Sequence, residues 1–196
     1  MQVWPKGTDL ATLRRLSLCI SMHTALSGAY PNQRYRHMPQ PAPFYSSWFE
    51  IEPGWIDYNN HLNMGYYPVI FDRASDEIFT LFGFGPEYIA ATNQTTFSLE
   101  FHVRYLKEVK LGERVRSSFH VIDHDTKRFH SFQELFNEDG VLCATGEGLT
   151  IHVTLDGPKV TPMPEDILSR IAATAAEHAR LKRPTGVGSR IGIRRA

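Results

Sequence analysis

From Met64 to Leu81 apolar residues return at Met64, Tyr67, Phe71, Ala74, Ile78 and Leu81. Those steps of three and four place all of them along one side of a helix. The far side carries Asp72, Arg73, Asp76 and Glu77. A helix with one apolar stripe must lay it against something, and the residues that follow supply the partner. Phe97, Leu99, Phe101, Val103 and Tyr105 alternate with Ser98, Glu100, His102 and Arg104, the period of a half-buried strand. Val115–Val121, Phe129–Phe136 and Val141–Val153 read as three more strands, with Asn137-Glu138-Asp139-Gly140 as a hairpin turn. Gly146 and Gly148 permit a bend in the last of them. Phe44–Ile51 reads as an earlier strand ending at Pro53-Gly54. Pro68 is tolerated only near a helix start, so the helix begins close to Gly65, with Asn63 as its N-cap and Gly83 and Gly85 as stops. A terminal helix is predicted over Glu165–Leu181, with Ile167, Ile171, Ala175 and His178 along one side. This order predicts an α+β fold in which a meandering antiparallel sheet wraps one long helix. The second face of the sheet then needs cover, from the terminal helix or from another subunit, and an oligomer is expected.

The division that follows is an N-terminal extension over 1–43, a body over 44–160 and a C-terminal helix with a basic tail over 161–196. Thr8–Ala25 has the pattern of a short helix, and the Pro- and Arg-rich run Tyr30–Pro43 has no apolar period. A flexible or draped segment is expected there. The apolar run after Arg14-Arg15 is short and broken by Ser21 and His23, a weak secretion signal. A start at Met22 or Met38 is the alternative. No stretch approaches the ~20 apolar residues of a membrane-spanning helix. Cys19 and Cys143 are too few for a disulfide scaffold or a multi-cysteine metal site. Equal numbers of basic and acidic residues, 21 each, remove the global case for a nucleic-acid binder. The balance hides an acidic body between two basic ends. A cytoplasmic protein is expected.

The chemistry concentrates between the first strand and the long helix, in Trp55-Ile56-Asp57-Tyr58-Asn59-Asn60-His61-Leu62-Asn63-Met64-Gly65-Tyr66-Tyr67. Asp57 stands a few residues before the amide-rich, positive end of a helix. Such amides polarise a carbonyl and stabilise the oxyanion formed when it is attacked. The carboxylate supplies the other half, by direct attack or by deprotonating a water. The competing reading makes Asp57 a turn cap and His61 a packing residue. Elsewhere, Asp123-His124-Asp125 and His130 have metal-ligand residue types but sit at a hairpin where they are ordinary, so no metal site is assigned. Cys143 alternates with apolar neighbours and reads as core, and Thr145 and Glu147 as sheet residues. Arg104, Lys107, Lys110, Arg114, Arg116, Lys127, Arg128 or the basic tail are candidates for holding phosphates.

The pattern D-x-x-[G]-H-x-N, followed by an aromatic-rich helix and then a four-strand meander, resembles the 4-hydroxybenzoyl-CoA thioesterase branch of the hotdog fold over residues 44–155. The resemblance implies that Asp57 is the catalytic carboxylate, that His61 and Asn63 position the loop and helix start, and that the thioester carbonyl sits near Gly65. The family has glycine where this chain has Asn60, a residue that tolerates a left-handed backbone. Trp55 through Asp72-Arg73-Ala74, Phe97-Ser98-Leu99-Glu100, Tyr105-Leu106-Lys107-Glu108-Val109 and Arg190-Ile191-Gly192-Ile193-Arg194 resemble betainyl-CoA thioesterases of carnitine breakdown more closely. That resemblance implies a small polar acyl-CoA as substrate, with CoA part of the substrate; the thiolate is a fair leaving group, so no separate cofactor is expected, and the sheet face that needs cover points to a homodimer or homotetramer. Trp55, Tyr58, Tyr66 and Tyr67 are the candidate substrate-binding aromatics for a quaternary ammonium, although Tyr67 also belongs to the core stripe. Glu100 is a second carboxylate, able to orient water or meet the cation. An enoyl-CoA hydratase or dehydratase, or a non-catalytic acyl-CoA or quaternary-amine binding module, are the alternatives.

Overall fold

The computed structural model describes residues 42–193. The expectations for residues 1–41 and for the last basic residues fall outside that range. In chain order the elements are β1 (Phe44–Tyr45), β2 (Phe49–Glu50), a 3-10 turn (Pro53–Trp55), α1 (Tyr66–Phe82) and α2 (Pro86–Thr92). There follow β3 (Gln94–Tyr105), β4 (Arg114–His124), β5 (Arg128–Asn137), β6 (Leu142–Thr154), β7 (Lys159–Val160) and α3 (Glu165–His178). One antiparallel sheet, ordered β1-β4-β5-β6-β3, packs against α1, with β2 also on β4 and β7 on β6. This is the hotdog architecture.

The middle of the helical stripe buries as the spacing predicts: Tyr67, Phe71, Ala74 and Ile78 face the sheet, joined by Ile70 and Phe82. Its ends shift. Met64 precedes the helix and is 66% exposed, and Leu81 is half-buried where Phe82 is buried. The N-cap is Gly65, not Asn63; the Asn63 Oδ1 instead accepts the Gly65 N–H at 2.9 Å. Gly83 stops the helix in a left-handed conformation, its N–H shared between the carbonyls of Phe79 and Thr80.

Two strand expectations are corrected. Phe44–Ile51 is two short strands, because pairing is interrupted at Ser46-Ser47-Trp48. There Ser46 Oγ accepts the Ser117 N–H, and the Ser47 N–H turns to Glu77 of α1. The second correction concerns the meander, which covers only β4–β5–β6; β3 lies beyond β6 at the far edge. Alternation reveals a strand but not its neighbour. The 106–113 connection crosses instead of turning back. It is pinned by the fully buried Val109, whose carbonyl accepts the Leu62 N–H at 2.8 Å, and by Leu106 and Lys107 N–H groups on Cys143 O. β3 also carries a register shift between Ser98 and Glu100. A bulge of this kind inverts the alternation. Phe101 and Tyr105 meet Phe71 and Tyr67 of α1 edge-on, while Phe97 and Leu99 are exposed. The α2 and β7 elements are too short to carry a period.

The core has two centres along α1. Tyr67, Ile70 and Phe71 pack with Trp55, Leu62, Val109, Leu135 and Cys143. Ile78 and Phe82 pack with Phe119, Phe129 and, from α3, Ile167 and Ile171. The terminal helix is thus part of the body's core, held by Arg170 Nε donating to Phe82 O and by the Val121 N–H donating to His178 Nδ1. Beyond it, the Gly188 N–H donates to both Glu147 oxygens at 2.8 and 2.9 Å. Arg104 reaches Ser189. Since Gly146 and Gly148 face α1, Glu147 points away from it, and the tail lies on the outer face of the sheet.

The loop between the 3-10 turn and α1 folds back on itself. Ile56 and Leu62 form an antiparallel bridge. Inside it the Asp57 N–H donates to His61 O, the Asn60 N–H to Asp57 O, and below it the Asn63 N–H to Trp55 O. The tight turn puts Asn60 at φ 62°, in the left-handed region.

Gly146 is required by contact, not by bending. A Cβ there would lie 2.6 Å from Phe101 Cζ and 3.1 Å from Phe71 Cδ2. Gly146→Val is expected to cost about 1–3 kcal/mol through overpacking, read as a lowered urea midpoint. At the loop, Asn60→Gly is expected to leave stability nearly unchanged, whereas Asn60→Ala costs about 1–2 kcal/mol for its left-handed conformation, read by thermal unfolding.

Candidate active site

Asp57 is half-buried at the tip of the folded-back loop. Its Oδ1 accepts the Asn59 N–H at 2.8 Å and the His61 N–H at 3.4 Å. The turn cap and the candidate catalytic carboxylate are therefore the same group: one oxygen is anchored to the loop backbone, which sets the direction of the other. His61 takes part through its backbone, donating to Asp57 Oδ1 and accepting the Asp57 N–H.

The start of α1 offers fewer amides than a helix N-terminus generally does. The Gly65 N–H is engaged by Asn63 Oδ1, the Tyr66 N–H donates to Asn63 O, and Pro68 has none. A carbonyl arriving here meets the Tyr67 N–H or displaces Asn63 Oδ1 from Gly65. Tyr105 Oη donates to Met64 O at 3.1 Å and so ties β3 to this corner.

The expected aromatic group does not assemble around Asp57 within the chain. Trp55 is only 6% exposed, stacks on Tyr66 with ring centroids 5.5 Å apart, and takes the Arg73 guanidinium 5.0 Å from its ring centroid. Its faces are already used, one of them by a cation of the protein's own. Tyr58 is 94% exposed and stands apart. Tyr67 is buried against Tyr105, and burial pushes its phenol up to about 12. Glu100 follows the bulge and faces away from Phe101, hence away from α1 and from Asp57.

Beside α1 the helix and the sheet enclose a cleft of about 740 Å³. Its helix side extends from Pro68 and Val69, in the first turn of α1, past Asp72, Ser75 and Asp76 toward Phe84. Its floor is Ser98 and Phe101 of β3, Ser131 and Gln133 of β5, and Gly148 and Thr150 of β6. Asp57 does not line it. Gln133 donates to Ser75 Oγ and accepts from Ser117 Oγ, fixing the helix to the sheet from inside. Asp72 and Asp76 fall on the polar side of the stripe, where spacing alone makes them ordinary surface acids. The available signal was Ser131 and Gln133, polar residues that alternate with Phe132 in a strand whose other side is also buried.

The remaining candidates disperse. Asp123 and Asp125 cap turn amides, Asp125 pairs with Arg128, and His130 bonds Glu147 at 2.8 Å. Among the described residues no three His, Cys, Asp or Glu gather as for a metal. Cys143 is buried, and burial pushes its thiol up. Arg114 is held by Glu138, and Arg116 lies over the Tyr45 and Trp48 rings. No described helix is long and apolar enough to cross a membrane.

Comparison with known proteins follows the same outline. The model of the thioesterase-like superfamily matches residues 51–171, from just after β2 through the loop, α1, α2 and strands β3–β7 into α3. A betainyl-CoA thioesterase of Pseudomonas aeruginosa is 37% identical over 144 residues, 73% of this chain and 91% of that protein. An L-carnitine dehydrogenase/betainyl-CoA thioesterase of Rhizobium meliloti is 29% identical over 147 residues, 74% of this chain but 29% of its own length. A Staphylococcus aureus protein whose structure was determined in complex with CoA superposes with a TM-score of 0.74 at 26% identity, covering 80% of this chain and 99% of that one. With fold, loop and matched span in agreement, the chain belongs to the thioesterase-like superfamily.

Proposed function

We propose that this protein hydrolyses the thioester of betainyl-CoA, a small polar acyl-CoA, to the free acid and CoA in carnitine breakdown. The observation that carries it is Asp57, anchored by one oxygen in the turn that leads into α1, in a chain 37% identical to a protein of that activity. The CoA complex of the Staphylococcus aureus neighbour supports a CoA ester as ligand. The thioester carbonyl oxygen accepts an N–H at the start of α1, Tyr67 or Gly65, which makes its carbon electrophilic. The free oxygen of Asp57 then attacks that carbon or takes a proton from the water that does. Collapse of the oxyanion breaks the C–S bond and releases CoA thiolate, a leaving group good enough to need neither metal nor redox cofactor. His61 and Asn63 hold the loop and the helix start.

The protein acts as a homodimer, alone or paired into a tetramer, in the cytoplasm. β3 is the edge of the sheet, twelve residues long, with Phe97, Leu99, Phe101 and Tyr105 exposed. A long apolar edge calls for a partner. A second copy aligned on β3 closes the open side of the cleft and brings its own loop to it.

The test is thiol release from a panel of CoA esters that includes betainyl-CoA and 4-hydroxybenzoyl-CoA. Betainyl-CoA is expected to be the preferred ester. Asp57→Asn is expected to lower kcat by about 10²–10⁴-fold with an unchanged melting temperature. A near-parental rate for the variant, or wild-type protein that binds the ester without releasing thiol, contradicts the proposal.

A further inference from the structure

An acyl group that ends in a quaternary ammonium carries a charge no proton transfer can remove. Its binding site must compensate that charge or leave it in water. Around Asp57 the chain offers no such place, since Trp55 already carries Arg73 and Tyr58 points to solvent. The cleft beside α1 has the required character. None of the residues that line it is Lys, Arg or His, while two are Asp72 and Asp76, one helical turn apart. Neither carboxylate takes part in an ion pair among the described residues. Burial, with the charge of Asp72 added, holds the Asp76 carboxyl above the usual range, so the pair repels itself in the absence of a cation.

A second feature of the cleft is independent of the acids. Ser131 is 5% exposed and Thr150 8% exposed, both line the floor, and neither hydroxyl has a hydrogen-bond partner among the described residues. Neither is among the sealed polar atoms of the core, so both keep their hydrogen-bonding capacity open to the cleft. A ligand, or water carried with it, finds two hydroxyls there that no protein group engages. Phe101 adds an aromatic ring on the same floor, and aromatic faces attract permanent cations.

Reach decides between the two acids. At about 1.5 Å of rise per residue, Asp72 lies ~7.5 Å along the helix from Tyr67 and Asp76 ~13.5 Å. In a betainyl group the nitrogen is two bonds beyond the carbonyl carbon, at ~1.5 Å per bond. A carbonyl held at the start of α1 therefore leaves the trimethylammonium nearer to Asp72 than to Asp76, which lies a further turn along the helix.

We propose that Asp72 is a specificity-determining residue, its carboxylate meeting the quaternary ammonium of the acyl group in the cleft between α1 and the β3–β6–β5 floor; this rests on the thioesterase reading of the site above. The field of Asp76 adds to the selection at longer range. Neutral acyl groups of the same shape fit the cleft but gain nothing from the charge.

The experiment uses two CoA esters of nearly equal shape: betainyl-CoA and 3,3-dimethylbutyryl-CoA, in which carbon replaces the charged nitrogen. The readout is the ratio of their kcat/KM values for the wild type, Asp72→Asn and Asp76→Asn, each checked for an unchanged melting temperature. Asp72→Asn is expected to lower the preference for the cationic ester about tenfold, the scale of one partly desolvated charge contact, and Asp76→Asn to lower it less. A ratio within about twofold of wild type in Asp72→Asn, including a case where both rates fall together, overturns the assignment. So does a larger effect from Asp76→Asn. Wild-type protein that cleaves neither ester refutes the thioesterase reading itself, a separate and distinguishable result.

Discussion

The close approach of α1 to β6 sets the rest of the molecule. Gly146 and Gly148 leave room on the strand for the Phe71 and Phe101 rings, which meet edge-on with centroids 5.7 Å apart. A side chain at Gly146 would push Phe71 and the helix off the sheet, and one at Gly148 would displace Phe101. With the helix held at this depth, Tyr67 reaches Tyr105, and Tyr105 reaches the backbone of Met64. The entry to the helix is thereby fixed against β3. From the other side, the 106–113 crossing holds Leu62 through Val109 O. The loop that bears Asp57 is clamped between these two supports, which suits a carboxylate that must be placed before its substrate arrives.

Packing on one side of α1 and a cleft on the other are consequences of the same geometry. Large aromatic and aliphatic residues fill the space under Tyr67, Phe71 and Ile78. Beside the helix, the floor positions hold Ser98, Ser131, Gln133 and Thr150 in place of bulky apolar groups. Gln133 spans helix and sheet with its two hydrogen bonds and keeps the cavity from collapsing. The two acids on the cleft wall give it a sign opposite to that of the basic chain ends. A substrate with a cationic acyl group and an anionic carrier suits a protein whose charges are segregated in this way.

What could be read beforehand was whatever rests on a period. The stripe of α1 and the alternation of β4, β5 and β6 come from repeated contacts with one partner, so their spacing carries the answer. The loop was legible for a different reason: Asp57, Asn60 and Asn63 each satisfy a local backbone demand, and Asn60 does take the left-handed conformation where the family has glycine. Features decided by distant neighbours were not legible. The bulge after Ser98 depends on how β3 meets β6, and it sends Phe97 and Ser98 to the faces opposite to those their alternation implies. Trp55 reads as a free aromatic until Tyr66 and Arg73 are seen on its faces. Asp72 reads as a surface acid until the sheet closes a cleft beside it.

The proposed mechanism requires a thioester gripped by the opening amides of α1 while Asp57 stands beside its carbonyl carbon. A crystal structure of the Asp57→Asn variant with uncleaved betainyl-CoA tests it most directly. The thioester oxygen is expected within about 3 Å of the Tyr67 or Gly65 nitrogen, with the residue-57 side chain beside the carbonyl carbon. An ester bound with its carbonyl away from the start of α1, or with residue 57 out of contact, contradicts the account.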